Sequence, residues 1–269
     1  MKFNVKNLLA IAAAASALIL SGCGEKEVDT SKIKVGVMAG AEAQVAEVAA
    51  KVAKEQYGLD VELVTFTDYV TPNAALDDGS IDINAFQHKP YLDQQVADRN
   101  YKLTIAGNTF VYPIAGYSKQ VKSVDEIQDG ARIAVPNDPT NLGRSLLLLE
   151  QQGLLTLREG VGLLATVRDI EENPKNITIV ELDAAQLPRS LDDVALSIIN
   201  TTYASSIDLT PQRDGVFVED KESPYVNLIV AREDNVNAEN VQNFVKAYQT
   251  EDVYNAASDI FKGGVVKGW

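Results

Sequence analysis

Cysteine and histidine occur once each in the 269 residues, tryptophan once and methionine twice. One cysteine closes no internal disulfide, so the folded part must be held by the packing of its core. A single histidine and a single cysteine do not make a transition-metal shell, and Asp77, Asp78 and Asp82 lack the spacing of a calcium loop. No metal is expected. Basic residues are outnumbered, 24 Lys and Arg against 38 Asp and Glu, a formal charge of −14. Without a basic face, nucleic acid is excluded as a partner. GxSxG, HExxH, a P-loop and GxGxxG are all missing, and no nucleophile–base pair presents itself. The expectation is a protein that is not an enzyme and needs no cofactor.

The apolar run that is present, Leu8 to Leu20, is too short to span a bilayer, which takes about 20 residues. It follows Lys2 and Lys6 and has the length of the apolar stretch of a secretion signal. The quartet Leu20-Ser21-Gly22-Cys23 closes it and resembles the lipobox of bacterial lipoproteins. That resemblance implies a signal peptide over residues 1–22, a lipid on Cys23 and a protein held in the cell envelope. Loss of the signal removes two lysines and no acid, so the exported chain is more acidic still. Residues 23–32 are polar after the cysteine, lack apolar rhythm and read as a tether.

From Ile33 the pattern changes. IKVGVMAG (33–40) reads as a buried strand, and Val45, Val48, Ala49 and Val52 recur with helical spacing. VELVTF (61–66) is a strand, TPNAALDDG (71–79) a short helix, IDINAF (81–86) a strand, and Pro90 opens another helix. TFVYPIAGYSK (109–119) is extended, with a proline that a central strand rejects, and reads as a crossing segment. Then VDEIQDG (124–130), ARIAVP (131–136), NLGRSLLLLEQQG (141–153), NITIVEL (176–182), LPRSLDD (187–193) and VALSIIN (194–200) alternate helix and strand. YVNLIVARED (225–234) returns as a strand before terminal helices at 238–261. This alternation predicts an α/β fold of two lobes, each a mostly parallel sheet flanked by helices, joined by two extended crossings.

Four places carry candidate chemistry. Arg144 is expected in the first turn of a helix starting near Asn141, where the helix dipole disfavours a cation. Either a carboxylate ligand meets guanidinium and free backbone N–H groups together, or the arginine pairs with a nearby acid. Asn200 closes a strand at its carboxyl end, the ligand side of parallel sheets. Asn227 is an amide inside the apolar run YVNLIV and must find partners. In IDINAFQHKPYL, His88 is open between a satisfied core histidine and the wall of a pocket.

The blocks TDYVTPNAAL, IDINAFQHKPYL, GNTFVYPIAGYS, AVPNDPTNLGRSLLLL, NTTYA and ESPYVNLIVARED resemble the NlpA family, methionine-binding lipoproteins of bacterial ABC importers. The similarity runs from Ile33 to Trp269. It implies a periplasmic-binding-protein-like fold with lobe 1 over 33–113 plus 225–269 and lobe 2 over 114–224. It further implies capture of methionine, expected as the L enantiomer, in an inter-lobe cleft, and delivery to an ABC importer's transmembrane and ATPase subunits. The chain would be lipid-anchored to the inner or outer membrane and face the periplasm. Carried over to this sequence, Arg144 and Asn141 take the carboxylate, and Asn200 and Asn227 hold the ammonium and carboxylate ends. Tyr69, Phe86, His88 and Tyr91 surround the side chain, with a neutral His88 giving one donor near the sulfur. The rival readings are an exported α/β enzyme acting on an amino-acid derivative, and a surface lipoprotein of the same family outside transport.

Overall fold

The computed structural model describes residues 29–220 and 223–269. The signal peptide, Cys23 and most of the tether lie outside the described residues. Within Ser31–Trp269 the chain builds two main sheets.

The first sheet starts with β1 (Lys32–Met38), α1 (Ala41–Tyr57), β2 (Asp60–Phe66), α2 (Thr71–Asp77), β3 (Ile83–His88), α3 (Lys89–Arg99) and β4 (Leu103–Val111). β1 pairs in parallel with both β2 and β3, as right-sized helical crossovers require. β12 (Val226–Arg232) then inserts antiparallel between β3 and β4, and β13 (Val266–Lys267) extends the edge beyond β4. All six residues of β3 are buried, because it lies between β1 and β12. α1, with α8 (Glu239–Tyr248) and α9 (Glu251–Ile260), packs its apolar face against this sheet. Val45, Ala49, Phe244 and Val253 are buried there beside Val35 and Ile229.

The second sheet has the order β11–β5–β10–β6–β9, with β5 (Ala115–Tyr117), β6 (Arg132–Pro136), β9 (Thr178–Leu182), β10 (Leu196–Ile199) and β11 (Phe217–Val218). β6 pairs in parallel with β9 and β10, whereas β5 pairs antiparallel with β10 and β11. Between β6 and β9 come α4 (Pro139–Gln151) and a small antiparallel pair, β7 (Thr156–Leu157) and β8 (Ile170–Glu172), which the sequence pattern did not reveal. α5 (Leu187–Ser190), α6 (Thr201–Ser205) and α7 (Pro211–Asp214) are short.

Each sheet therefore keeps a parallel half, where strands alternate with helices, and an antiparallel half into which one strand, β12 in the first sheet and β5 in the second, arrives from the other sheet. Helix rhythm is silent about the second kind. The expected helix over 124–130 shrinks to one 3-10 turn at Val124–Glu126, since Ile127 is already extended. The chain passes between sheets twice, through 112–114 and again between β11 and β12. A third apolar cluster bridges them: Met38, Phe86 and Tyr91 from the first side meet Tyr117, Ala134, Ile199 and Tyr203 from the second.

Candidate functional site

The parallel strands end on a common side, and the residues following them converge there. Tyr69 follows β2, His88 ends β3, Asn141 follows β6, and Asn200 follows β10. Strand carboxyl ends are the ligand side of open α/β sheets. All eight sequence-predicted residues, Tyr69, Phe86, His88, Tyr91, Asn141, Arg144, Asn200 and Asn227, line one cavity. Gln87, Tyr112, Thr201 and Thr202 line it as well.

The aromatic side comes from the first sheet. Asp68 accepts from the backbone N–H of Val70 and Thr71 at 2.8 and 2.9 Å, which tightens the loop that carries Tyr69. The Tyr69 ring lies 5.9 Å from Phe86 and 6.3 Å from Tyr91, and the Tyr91 hydroxyl donates to the Tyr69 carbonyl at 2.8 Å. From the second sheet's side, the Tyr203 ring of α6 lies 5.0 Å from that of Tyr69. Phe86 owes its aim to a β-bulge: Leu228 faces Gln87 and Ile229 faces Ala85, so Phe86 is the extra residue. A bulge breaks the ladder locally, and the Asn227 side-chain amide fills the gap by donating to the Phe86 carbonyl at 3.0 Å. That is the partner the amide in YVNLIV required.

His88 serves two purposes at once. It caps α3, its Nδ1 accepting from the Tyr91 N–H at 3.2 Å, while Nε2 lies 3.2 Å from Asn141 Oδ1. With Nδ1 an acceptor, the proton is on Nε2, and it points at Asn141. Burial, and secondarily the Arg144 charge nearby, push the imidazole down to about 3, so it is neutral. The donor expected near a sulfur is directed at Asn141 Oδ1 in this structure.

Asn141 is held from below. α4 begins at Pro139, not at Asn141, because Asp138 caps it, accepting from the Asn141 N–H at 2.9 Å and from its side-chain amide at 2.9 and 3.1 Å. Arg144 consequently sits in the second turn, and the Asn141 N–H expected to be free for a ligand is occupied. The Asn200 amide donates to Asn141 Oδ1 at 2.9 Å. Its own Oδ1 is buried with no hydrogen-bond partner among the described residues.

Arg144, 4% exposed, is paired with an acid that sequence reasoning missed. Its Nε donates to Glu219 Oε1 at 2.8 Å, and Nη2 bonds Glu219 Oε2 and, at 3.1 Å, the Tyr112 carbonyl. Tyr225 stacks 4.3 Å from the guanidinium centre and 5.0 Å from the His88 ring. Arg144 is thus ion-paired at a buried position that also lines the cavity. Glu219 and Tyr225 gave no signal, since VFVEDKESPY reads as an ordinary acidic surface loop. Thr201 and Thr202 were legible only as neighbours of Asn200 at a strand end.

Known proteins resemble this chain in sequence and fold. The NlpA lipoprotein family profile matches residues 33–269. A Vibrio cholerae protein described as "Probable D-methionine-binding lipoprotein MetQ" is 83% identical over 269 residues, with both chains fully covered. The crystal structure of "the Methionine Binding Protein, MetQ" superposes with a TM-score of 0.89 at 72% identity, covering 90% of this chain and 99% of that one. A Burkholderia cenocepacia nutrient-binding protein bound to methionine gives 0.86 at 50% identity, over 88% and 100%. A Coxiella burnetii periplasmic substrate-binding protein of an ABC transporter also gives 0.86, at 48% identity over 88% and 100%. With the profile spanning nearly all of the folded region and identity this high over the full length, the chain belongs to the NlpA lipoprotein family.

Proposed function

We propose that this protein captures methionine between its two lobes and hands it, unaltered, to an ABC importer. The observation that carries the reading is the cavity itself, whose two ends differ in chemistry. Tyr69, Phe86 and Tyr91 offer aromatic faces and edges suited to a polarizable thioether. Arg144, Asn200 and Asn227 offer donors for a carboxylate, Asn141 holds Asn200 in place, and the unpartnered Asn200 Oδ1 is an acceptor for an ammonium. Relatives described as methionine-binding support the cargo, and the neighbour described as an ABC transporter's substrate-binding protein supports the delivery.

Lobe 1 comprises 33–113 plus 225–269 and lobe 2 comprises 114–224, with hinges near Tyr112–Tyr117 and near Ser223–Asn227. The aromatic wall and Asn227 belong to the first lobe, and Asn141, Arg144 and Asn200 to the second. Only a closed form contacts both ends of one small molecule, so the ligand draws the lobes together by its preference for that form. A lipid on Cys23, on the tether's far end, keeps the protein near the importer's membrane subunits and raises its effective concentration there. The Thr201 and Thr202 hydroxyls are engaged by the Pro113 carbonyl and Glu42, and the His88 ring by Tyr91 and Asn141, so the lining forms no nucleophile–base pair and the cargo leaves as it came.

Relatives carry the D enantiomer in their descriptions, so the L expectation is not taken further and the cargo is methionine of either hand. The test is calorimetry with L- and D-methionine on protein freed of ligand by unfolding and refolding, beside mass spectrometry of what the untreated protein releases. Binding of either enantiomer supports the reading. No heat with either, and no methionine released, refutes it.

A further inference from the structure

Arg144 is the one charged side chain among the cavity's lining residues, since His88 is neutral there. A lone buried cation would attract any small anion and would be costly while the site is empty. Glu219 answers both problems. It takes the Nε and Nη2 edge of the guanidinium, Tyr112 accepts a second bond from Nη2, and Tyr225 covers one face. Nη1 is the nitrogen left for a ligand. Glu219 is itself fastened to the first crossing: its N–H donates to the Ile114 carbonyl at 2.9 Å, and its Oε2 accepts from the Ile114 N–H at 3.4 Å. The second crossing, which carries Glu219 and Tyr225, thus grips Arg144 and the first crossing together.

We propose that Glu219 is a positioning residue that cancels the charge of Arg144 and aims its remaining N–H edge into the cavity, making the site selective for a net-neutral amino acid over an anion. The inference rests on the reading of this cavity as the methionine site. A zwitterion brings no net charge to a pair that has none, its carboxylate meeting Nη1 and its ammonium the Asn200 Oδ1. An anion of the same shape without the ammonium brings one uncompensated charge and meets the field of the Glu219 carboxylate as well.

The test compares methionine with 4-(methylthio)butanoate, which is methionine without its amino group. Calorimetric Kd values are measured for the wild type, Glu219→Gln and Glu219→Asp. The expected result is a strong wild-type preference for methionine, narrowed at least tenfold in Glu219→Gln and retained in Glu219→Asp. A purely structural role for Glu219 would weaken both ligands alike, and an unchanged ratio in Glu219→Gln overturns the proposal. Should that variant not fold, the wild type decides: replacing chloride by sulfate at fixed ionic strength leaves methionine affinity unchanged if Arg144 is neutralised. Competition by sulfate overturns the proposal. A wild type that binds no methionine at all sinks the cargo reading and this inference with it, whereas an unchanged ratio sinks only the role of Glu219.

Discussion

Arg144 and Glu219 are buried together, at 4% and 10% side-chain exposure, and removing one leaves the other unpaired in a place with little water. Breaking such a pair from one side costs about 3–5 kcal/mol. Arg144→Ala should therefore lower unfolding stability by that order in urea titrations. It should also weaken methionine binding at least tenfold, from the roughly 2–5 kcal/mol a desolvated charge partner contributes. Adding Glu219→Gln to Arg144→Ala should restore most of the stability and none of the affinity. Equal affinity for methionine in Arg144→Ala and wild type would end the carboxylate assignment.

Glu42, in the first turn of α1, adds a pH dependence. It is buried, bonds the Thr202 hydroxyl across the cleft, and faces the phenols of Tyr69, Tyr112, Tyr203 and Tyr248 with no cation among its partners. Burial raises it from 4.5 to about 8. The folded state then holds a proton that the unfolded state has lost, so its contribution is fully present below pH 4.5 and disappears as pH rises through 8. His88 acts oppositely, its depressed value adding stability above 6.5 that is lost as pH falls towards 3. Between 4.5 and 6.5 the two slopes oppose; from 6.5 to 8 Glu42 acts alone, by at most about 1.4 kcal/mol per pH unit. Wild-type melting temperature should fall over pH 6.5–8, and Glu42→Gln should flatten that fall. An identical slope in both proteins would show that Glu42 is not the group responsible.

At the scale of elements, α4 is the part on which the site depends. Asp138 caps the helix and anchors Asn141, which in turn receives His88 and Asn200. Asp138→Ala should cost about 0.5–2 kcal/mol of stability through the lost cap. It should also weaken methionine binding, because Asn141 is no longer fixed; a melting shift without an affinity change would separate the cap from the site. The helix packs tightly beyond it: a Cβ on Gly143 would stand 2.2 Å from the Leu163 carbonyl oxygen. The α4 pattern was readable in its leucines, yet its start was misplaced by two residues. Pro139 and Asp138 look like turn chemistry until the chain commits to a helix, when they become its first residue and its cap.

For the molecule as a whole, His88 to Asn141, Tyr69 to Tyr203 and Glu42 to Thr202 are contacts between elements of the two sheets. These form only when the sheets approach. Spin labels at Gln94 and Leu164, which share the rim of one surface groove, should show a shorter and narrower distance when methionine is added. Methionine at 100 times its Kd should add about 2.7 kcal/mol of stability by mass action. Unaltered label distances at saturation would remove closure from the mechanism.

What the sequence by itself determined was local or periodic. Apolar spacing identified α1 and the core strands, the Leu8–Cys23 signals pointed to export, and a strand end directed attention to Asn200. Only the tertiary structure decided the rest: the bulge that turns Phe86, the pairing of Asn227 with a carbonyl 141 positions away, and the pairing of Arg144 with Glu219 75 positions away. Periodicity records which face of an element is buried. It carries no record of which distant charge arrives there, because that partner is selected by the desolvation cost of leaving a buried charge alone, a cost that exists only once the sheets have come together.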